Sequence, residues 1–497
     1  MGYFDQKEPP RREHRLQACI ADGGTFSEVA NRRMRCCLPD GERTFAQGNI
    51  CLLLPALGIM NTIPDSVVLM HSAIGCGSSA HAGNAGVRAG NNARWGVLKD
   101  GTWLSTALTE SDVICGGEEK LSAAIIEADK RFQPAVIFVV AGCVPGIIGD
   151  DIDGVSEGVQ SQVAARILPV HCEGFKTKIW ATSYDAVYHA IGRTLLKDAA
   201  PRAAKSSNAR PVVNLFNVSS MGRPDEVELK RLLELLGLEV NIFPVFAEPA
   251  KMAQITQADL SVSTCPTHDD YLLRYLQETC GVPYILKHMP IGIANTGLWL
   301  RDVAAFFGLQ EKAAAIIARE ETELAAALAE LTPAFAGKKV FLSAGEFRAL
   351  ATALLMGELG FEISGIRAFH HDEFAAPEYQ KLDQAKSKDF PLNIANCQVF
   401  EEANLLKRTQ PDVFLGHMNG NGTAAKLGIT TSVIYNVGLQ YVGYKGAYEL
   451  ARRLYRQLRN PGFNRNISKW TVLPYKQQWY GQDPFSHIKA AGGEVDG

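Results

Sequence analysis

EEKLSAAIIEADKRFQPAVIFVVAGCVPG, residues 118–146, holds a helix, a strand and a turn in one stretch. Its first part is amphipathic and predicts a helix over Glu118–Phe132. The apolar run Ala135–Ala141 then predicts a strand with no solvent-facing side, the kind found inside a parallel sheet. Cys143 follows at its carboxyl end, where loops meet helix starts and α/β sheets bind their ligands. The same alternation continues along the chain. Further strands are predicted at Arg166–Val170, Val212–Asn217, Val240–Phe243, Asp259–Ser263, Val340–Ser343, Phe361–Ser364, Asp412–Leu415 and Ser432–Tyr435. Helical patterns lie between them at Asp225–Leu236, Asp269–Thr279, Thr296–Phe307 and Phe347–Glu358. Strand and helix repeated this often predict an α/β protein of three Rossmann-like domains with parallel sheets. Polar, small-residue stretches at Lys197–Arg210 and Pro333–Lys339 set the expected breaks. The expected domains are 45–205, 206–335 and 336–497, after an N-terminal extension 1–44.

Composition removes several function classes. Fifty Lys and Arg against 53 Asp and Glu give a formal charge of −3, with no electrostatic footprint for nucleic acid. The longest apolar runs are short and broken by Pro and Gly, so no membrane span is expected. The polar start MGYFDQKEPPRREHR lacks a signal-peptide core, so a cytoplasmic protein is expected. A GxxxxGK[ST] phosphate loop is absent. GNGTAA (Gly420–Ala425) fits GxGxxA but lacks the downstream acid of a dinucleotide site. It reads as a Gly-rich turn into a helix, or as a loop where backbone approaches a bulky ligand.

Eleven cysteines in a long chain without CxxC argue against disulfides, zinc ribbons and thioredoxin chemistry. Two readings remain: buried reduced thiols, or thiolates gathered around a metal group. Cys143, Cys172, Cys265 and His417 all follow predicted strands. Cys76 lies between Gly75 and Gly77. Flanking glycines remove bulk and permit positive φ, letting backbone amides crowd a sulfur as an iron–sulfur cluster requires.

GCGSSAHAG (75–83), TESDVICGGEEKL (109–121), CVPGIIGDDI (143–152) and HCEGF (171–175) occur in this order. VSTCPTHDDYLLRYLQETCGVPYI (262–285) and TQPDVFLGHMNGNGTAAKLGI (409–429) follow. Together they resemble the alpha subunit of the nitrogenase catalytic component over nearly the whole chain. Within that superfamily the resemblance runs nearest to the nitrogenase-like methylthio-alkane reductases. It implies that Cys51, Cys76 and Cys143 hold an interface electron-relay cluster, 8Fe–7S or 4Fe–4S. It further implies that Cys265 ligates a larger iron–sulfur cofactor, iron-only by expectation and accompanied by an organic acid such as homocitrate. A homologous beta subunit in an α2β2 assembly and an ATP-hydrolysing 4Fe–4S reductase are the implied partners.

The departures from the family pattern bear on substrate. The segment of the family's cofactor histidine here reads VIYNVGLQYVGYKG (433–446), with Asn436 or Val437 in its place. Trp180 and Tyr184 stand where nitrogenase has a substrate-facing Gln and His, and Asn84 stands for an arginine. Dinitrogen is therefore not the expected substrate. His417 becomes the candidate second cofactor ligand, with a plain hydrogen-bonded loop histidine as the alternative. His268 reads as a helix-capping or solvent-facing residue, and Tyr184 or His81 as a proton donor. The expected activity is reductive C–S cleavage of a small thioether with release of methanethiol. The alternatives are a cofactor-maturation scaffold, or another nitrogenase-like reductase acting on dinitrogen or a tetrapyrrole.

Overall fold

The computed structural model describes residues 3–35, 41–47, 51–199, 210–217, 222–416, 418–434 and 438–489. Its secondary structure alternates as the apolar runs require, and three main sheets carry the chain. The first sheet has the order Thr102–Ser105, Ser66–His71, Val136–Ala141, Arg166–His171, all parallel. Every residue of Val136–Ala141 is buried, because helices cover both faces of this sheet. Helix Glu118–Phe132 buries Leu121, Ile125 and Ala128, one stripe at helical spacing, against Val67, Leu69, Ile137 and Val139. It stops at Gln133, which takes the left-handed conformation at φ 47°.

The second sheet runs Tyr284–Ile285, Leu260–Val262, Val212–Asn217, Glu239–Pro244, again parallel. The third has six strands: Ala21–Thr25, Pro391–Ala395, Glu362–Ala368, Lys339–Ala344, Val413–Gly416 and Thr430–Val433. All are parallel except Ala21–Thr25, which pairs antiparallel with Pro391–Ala395.

The three sheets lie in two compact units. Residues 1–11 and 51–287 form one, and 12–50 with 288–497 form the other. In the first unit the sheets share a helix layer. Tyr275 donates to the Gly192 carbonyl at 2.8 Å, and His189 Nδ1 meets the Tyr271 hydroxyl at 3.0 Å. A Cβ at Gly192 would lie 2.9 Å from the Tyr275 ring, so helices Thr182–Thr194 and Pro266–Cys280 approach closely there. In the second unit the N-terminal segment is part of the sheet. Cys19 and His371 exchange backbone hydrogen bonds at 3.0 and 2.9 Å, and Arg43 meets the buried Glu401 at 2.7 Å.

The GNGTAA segment departs from its expected form. Gly420 and Gly422 lie inside helix Met418–Lys426, not in a loop before it. A Cβ at Gly420 would come within 2.6 Å of Phe414, so this glycine lets the helix seat on the strand below.

Candidate functional site

His71, Ala141 and His171 stand side by side in register at the carboxyl ends of three adjacent strands. Three loops therefore leave the first sheet together, carrying Cys76, Cys143 and Cys172. Cys51 joins them from the start of helix Leu53–Met60, its carbonyl accepting from Leu54 N–H at 3.2 Å. Cys51 is exposed, Cys76 and Cys143 are half-buried, and Cys172 is buried.

Gly174 lies beside two of these sulfurs. A Cβ built there would lie 3.5 Å from Cys143 Sγ and 3.8 Å from Cys51 Sγ. A single Cβ would make ordinary contact with both sulfurs, and any larger side chain would press into the space between them. Burial pushes the Cys51 thiol up; the Leu53 N–H opposes this, while charge on Cys143 and Cys76 adds to it. Thiolates so placed repel one another unless a cation sits among them. The buried Cys172 thiol is raised well above its usual range, by burial first and then by Cys51, Glu173 and Cys143, and so remains protonated.

The glycines flanking Cys76 serve differently from expectation. Neither has positive φ, and Gly77 is helical at φ −62°. Gly77 instead yields to Trp103, which a Cβ there would meet at 2.7 Å.

Behind the thiols lies a buried polar lock. His71 Nε2 meets Asp150 at 2.9 Å and Nδ1 meets the Thr106 hydroxyl at 3.1 Å. Gly117 N–H donates to both oxygens of Asp150, at 3.1 and 3.2 Å. Burial lowers the His71 pKa in spite of Asp150, so the ring is neutral at pH 7. This explains two of the sequence segments at once: ICGG supplies the amide and GDD the carboxylate.

A second polar group flanks Cys172. His171 meets Asp153 at 2.6 Å and Glu173 at 3.4 Å. Burial alone would neutralise this histidine, but those two carboxylates outweigh it and push its pKa up to about 9. Glu8, His171 and Glu173 have the grouping of a metal site. Lys176 already occupies it, 2.6 Å from Glu8 and 2.9 Å from Glu173, which makes an ion-pair network instead. A histidine whose pKa rises on folding stabilises the fold below its unfolded pKa of 6.5, and that stability is lost as pH climbs through about 9. The rise is worth about 3 kcal/mol. The urea-midpoint advantage of wild type over His171→Asn is expected to be largest at pH 6 and to vanish by pH 10.

Cys265 lies apart from this group, at the end of the second sheet and 3 % exposed. It caps helix Pro266–Cys280, with Pro266 at the first helical position. Its N–H donates to Ser263 Oγ at 3.0 Å and to Asp269 Oδ2 at 3.1 Å. Asp269 Oδ2 also accepts from the Ser263 hydroxyl at 2.7 Å and from Thr264 N–H at 3.0 Å. Burial nevertheless pushes the Asp269 pKa up to about 7.

Trp180 and Tyr184 are buried, their rings edge-on at 5.7 Å. Tyr184 lies against His268 with ring centroids 4.1 Å apart. His268 is therefore buried beside the Cys265 turn, not solvent-facing. His81, in contrast, is exposed on helix Gly77–Trp95. Tyr188, one turn beyond Tyr184 on the same helix, is buried as well and carries no signal in the sequence. His417 and Asn436 lie outside the described residues. Among the described residues no helix is long and apolar enough to cross a membrane.

The profile of the family described as Nitrogenase component 1 type Oxidoreductase matches residues 51–459. The chain is 27% identical over 428 residues to the Methanosarcina barkeri protein named Nitrogenase iron-molybdenum cofactor biosynthesis protein NifE, covering 83% of this chain and 88% of that one. It is 26% identical over 434 residues to the Nitrogenase molybdenum-iron protein alpha chain of Methanothermobacter thermautotrophicus, again covering 83% and 88%. The solved structure described as Nitrogenase Cp1 at pH 6.5 superposes with a TM-score of 0.71 at 21% identity, over 88% of this chain and 93% of that one, which shows the shared fold. The chain belongs to the nitrogenase component 1 type oxidoreductases.

Proposed function

We propose that this chain is the catalytic alpha subunit of a nitrogenase-like reductase acting on small thioethers. Cys51, Cys76 and Cys143 would hold the relay cluster, and the lack of a side chain at Gly174 leaves room for it beside the sulfurs. Cys265 would hold a larger iron–sulfur cofactor, which supplies low-potential electrons at the substrate. The net reaction consumes two electrons and two protons, converting a methyl thioether to a hydrocarbon and methanethiol. An ATP-hydrolysing iron–sulfur partner supplies the electrons.

The observation that carries the catalytic reading is the setting of Cys265: a buried thiol on a fixed backbone turn, three residues from His268, against which Tyr184 and then Trp180 pack their rings. Flat, apolar ring faces suit a thioether. Each of the turns carrying Cys51, Cys76, Cys143 and Cys172 also bears an exposed apolar side chain, namely Leu54, Ile74, Ile147 and Phe175. Exposed apolar residues rimming the thiols fit a beta-type partner that covers the relay cluster.

The second reading is a maturation scaffold that carries a precursor cluster and releases it. Likeness to the cofactor biosynthesis protein favours it as much as likeness to the alpha chains favours catalysis. The absence of histidine from 433–446 is compatible with both. A chase experiment separates them. Loaded complex is mixed with a cofactor-free acceptor component, and iron is followed after separation. A catalyst retains its iron over many turnovers; a scaffold passes it to the acceptor.

A further inference from the structure

Tyr188 stands on helix Thr182–Thr194, one turn beyond Tyr184, and its polar end has no role in the fold. Its side chain is 1 % exposed, and its hydroxyl has no hydrogen-bond partner. A buried phenol without a partner is costly, since tyrosine hydroxyls are nearly always paired when removed from water. Helix Thr182–Thr194, which carries Tyr188, packs closely on helix Pro266–Cys280, which starts at Cys265, and Tyr184 one turn earlier lies against His268. Asp269, Tyr184, Cys265 and Asp185 are the hydroxyl's electrostatic neighbours. Asp269 repeats the pattern: Oδ2 is saturated by three donors while buried Oδ1 has none. A donor and an acceptor therefore lie unused beside one buried thiol.

We propose that the Tyr188 hydroxyl donates a hydrogen bond to a sulfur or oxygen acceptor of the group carried by Cys265, fixing its orientation and favouring its reduced form. This rests on the reading that Cys265 carries an iron–sulfur cofactor. The physical reason is general. A donor aimed at a cluster sulfur stabilises added negative charge and raises the reduction potential. Phenylalanine keeps the ring and its packing, so Tyr188→Phe removes the donor alone.

The test uses the assembled complex with iron analysis, electron paramagnetic resonance and redox titration. Tyr188→Phe is expected to lower cofactor iron at least twofold and to shift the cofactor signal to lower potential, with the relay signal unchanged. In a Cys265→Ala background the same change is expected to raise the melting temperature, because there it only deletes an unpaired buried hydroxyl. Identical iron, spectrum and potential in wild type and Tyr188→Phe would overturn the assignment of Tyr188 while leaving Cys265 as ligand. Identical iron and spectra in wild type and Cys265→Ala would overturn the cofactor reading and this inference with it.

Discussion

Cys265→Ala is expected to remove the cofactor share of the iron from the purified complex while the relay share stays. Cys265 sits in a backbone nest built by Ser263, Thr264 and Asp269, none of which needs its sulfur. The fold at the start of helix Pro266–Cys280 should therefore survive the loss of the thiol. A side chain this deeply buried has no solvent-side substitute for a ligand. Outer-shell changes at metal sites typically cost about 10–100-fold, so deleting a protein ligand should reduce turnover by more than about 100-fold. Iron and sulfide quantification, read beside the relay cluster's spectrum, checks both halves. Unchanged iron content and activity would show that Cys265 carries no cofactor.

Gly174→Val should produce the opposite pattern. Its Cβ would fall 3.5 Å from Cys143 Sγ and 3.8 Å from Cys51 Sγ, with two further methyl carbons pressing into the same space. The thiols themselves remain, so a loss of relay iron must come from the filled space and not from missing ligands. The expected fold penalty is modest, about 1–3 kcal/mol for overpacking, because Gly174 lies on a turn rather than within a sheet. Relay-cluster iron and its spectrum should be lost, and turnover should fall by more than about 100-fold because electrons no longer reach the second site. Gly174→Ala should be intermediate, since a single Cβ at these distances is ordinary contact. A Gly174→Val complex with full relay iron would mean that no cluster occupies the space between those sulfurs.

Both predictions rest on features with different visibility in the sequence. The parallel strands announced themselves where burial is two-sided, as in Val136–Ala141, because such strands need unbroken apolar runs. Ala21–Thr25 (ADGGT) carries no such run, since it is an antiparallel edge whose partner lies far along the chain. Thr102–Ser105 is a half-buried edge of the first sheet and equally silent. Ser66–His71 is fully apolar through its middle yet drew no expectation, as it runs directly into the glycine-rich segment around Cys76.

The thiol group around Gly174 was legible as separate cysteine-bearing turns. What gathers them is the register of His71, Ala141 and His171, a property of strand pairing that no single segment contains. His268 was misplaced for a related reason. A residue three positions past a cysteine can face solvent or protein, and only the approach of Tyr184 from another helix decides which. Tyr188 reads as an ordinary core aromatic until its unpaired hydroxyl is seen beside Asp269 and Cys265.

Catalysis at Cys265 is tested most directly by gas chromatography of the headspace above the reconstituted system. Complex, beta-type partner, ATP-hydrolysing reductase, ATP, reductant and a small methyl thioether are incubated without oxygen. ATP-dependent methanethiol from wild type and none from Cys265→Ala is the expected result. No methanethiol from a wild-type complex that instead surrenders its iron to an acceptor protein would contradict it.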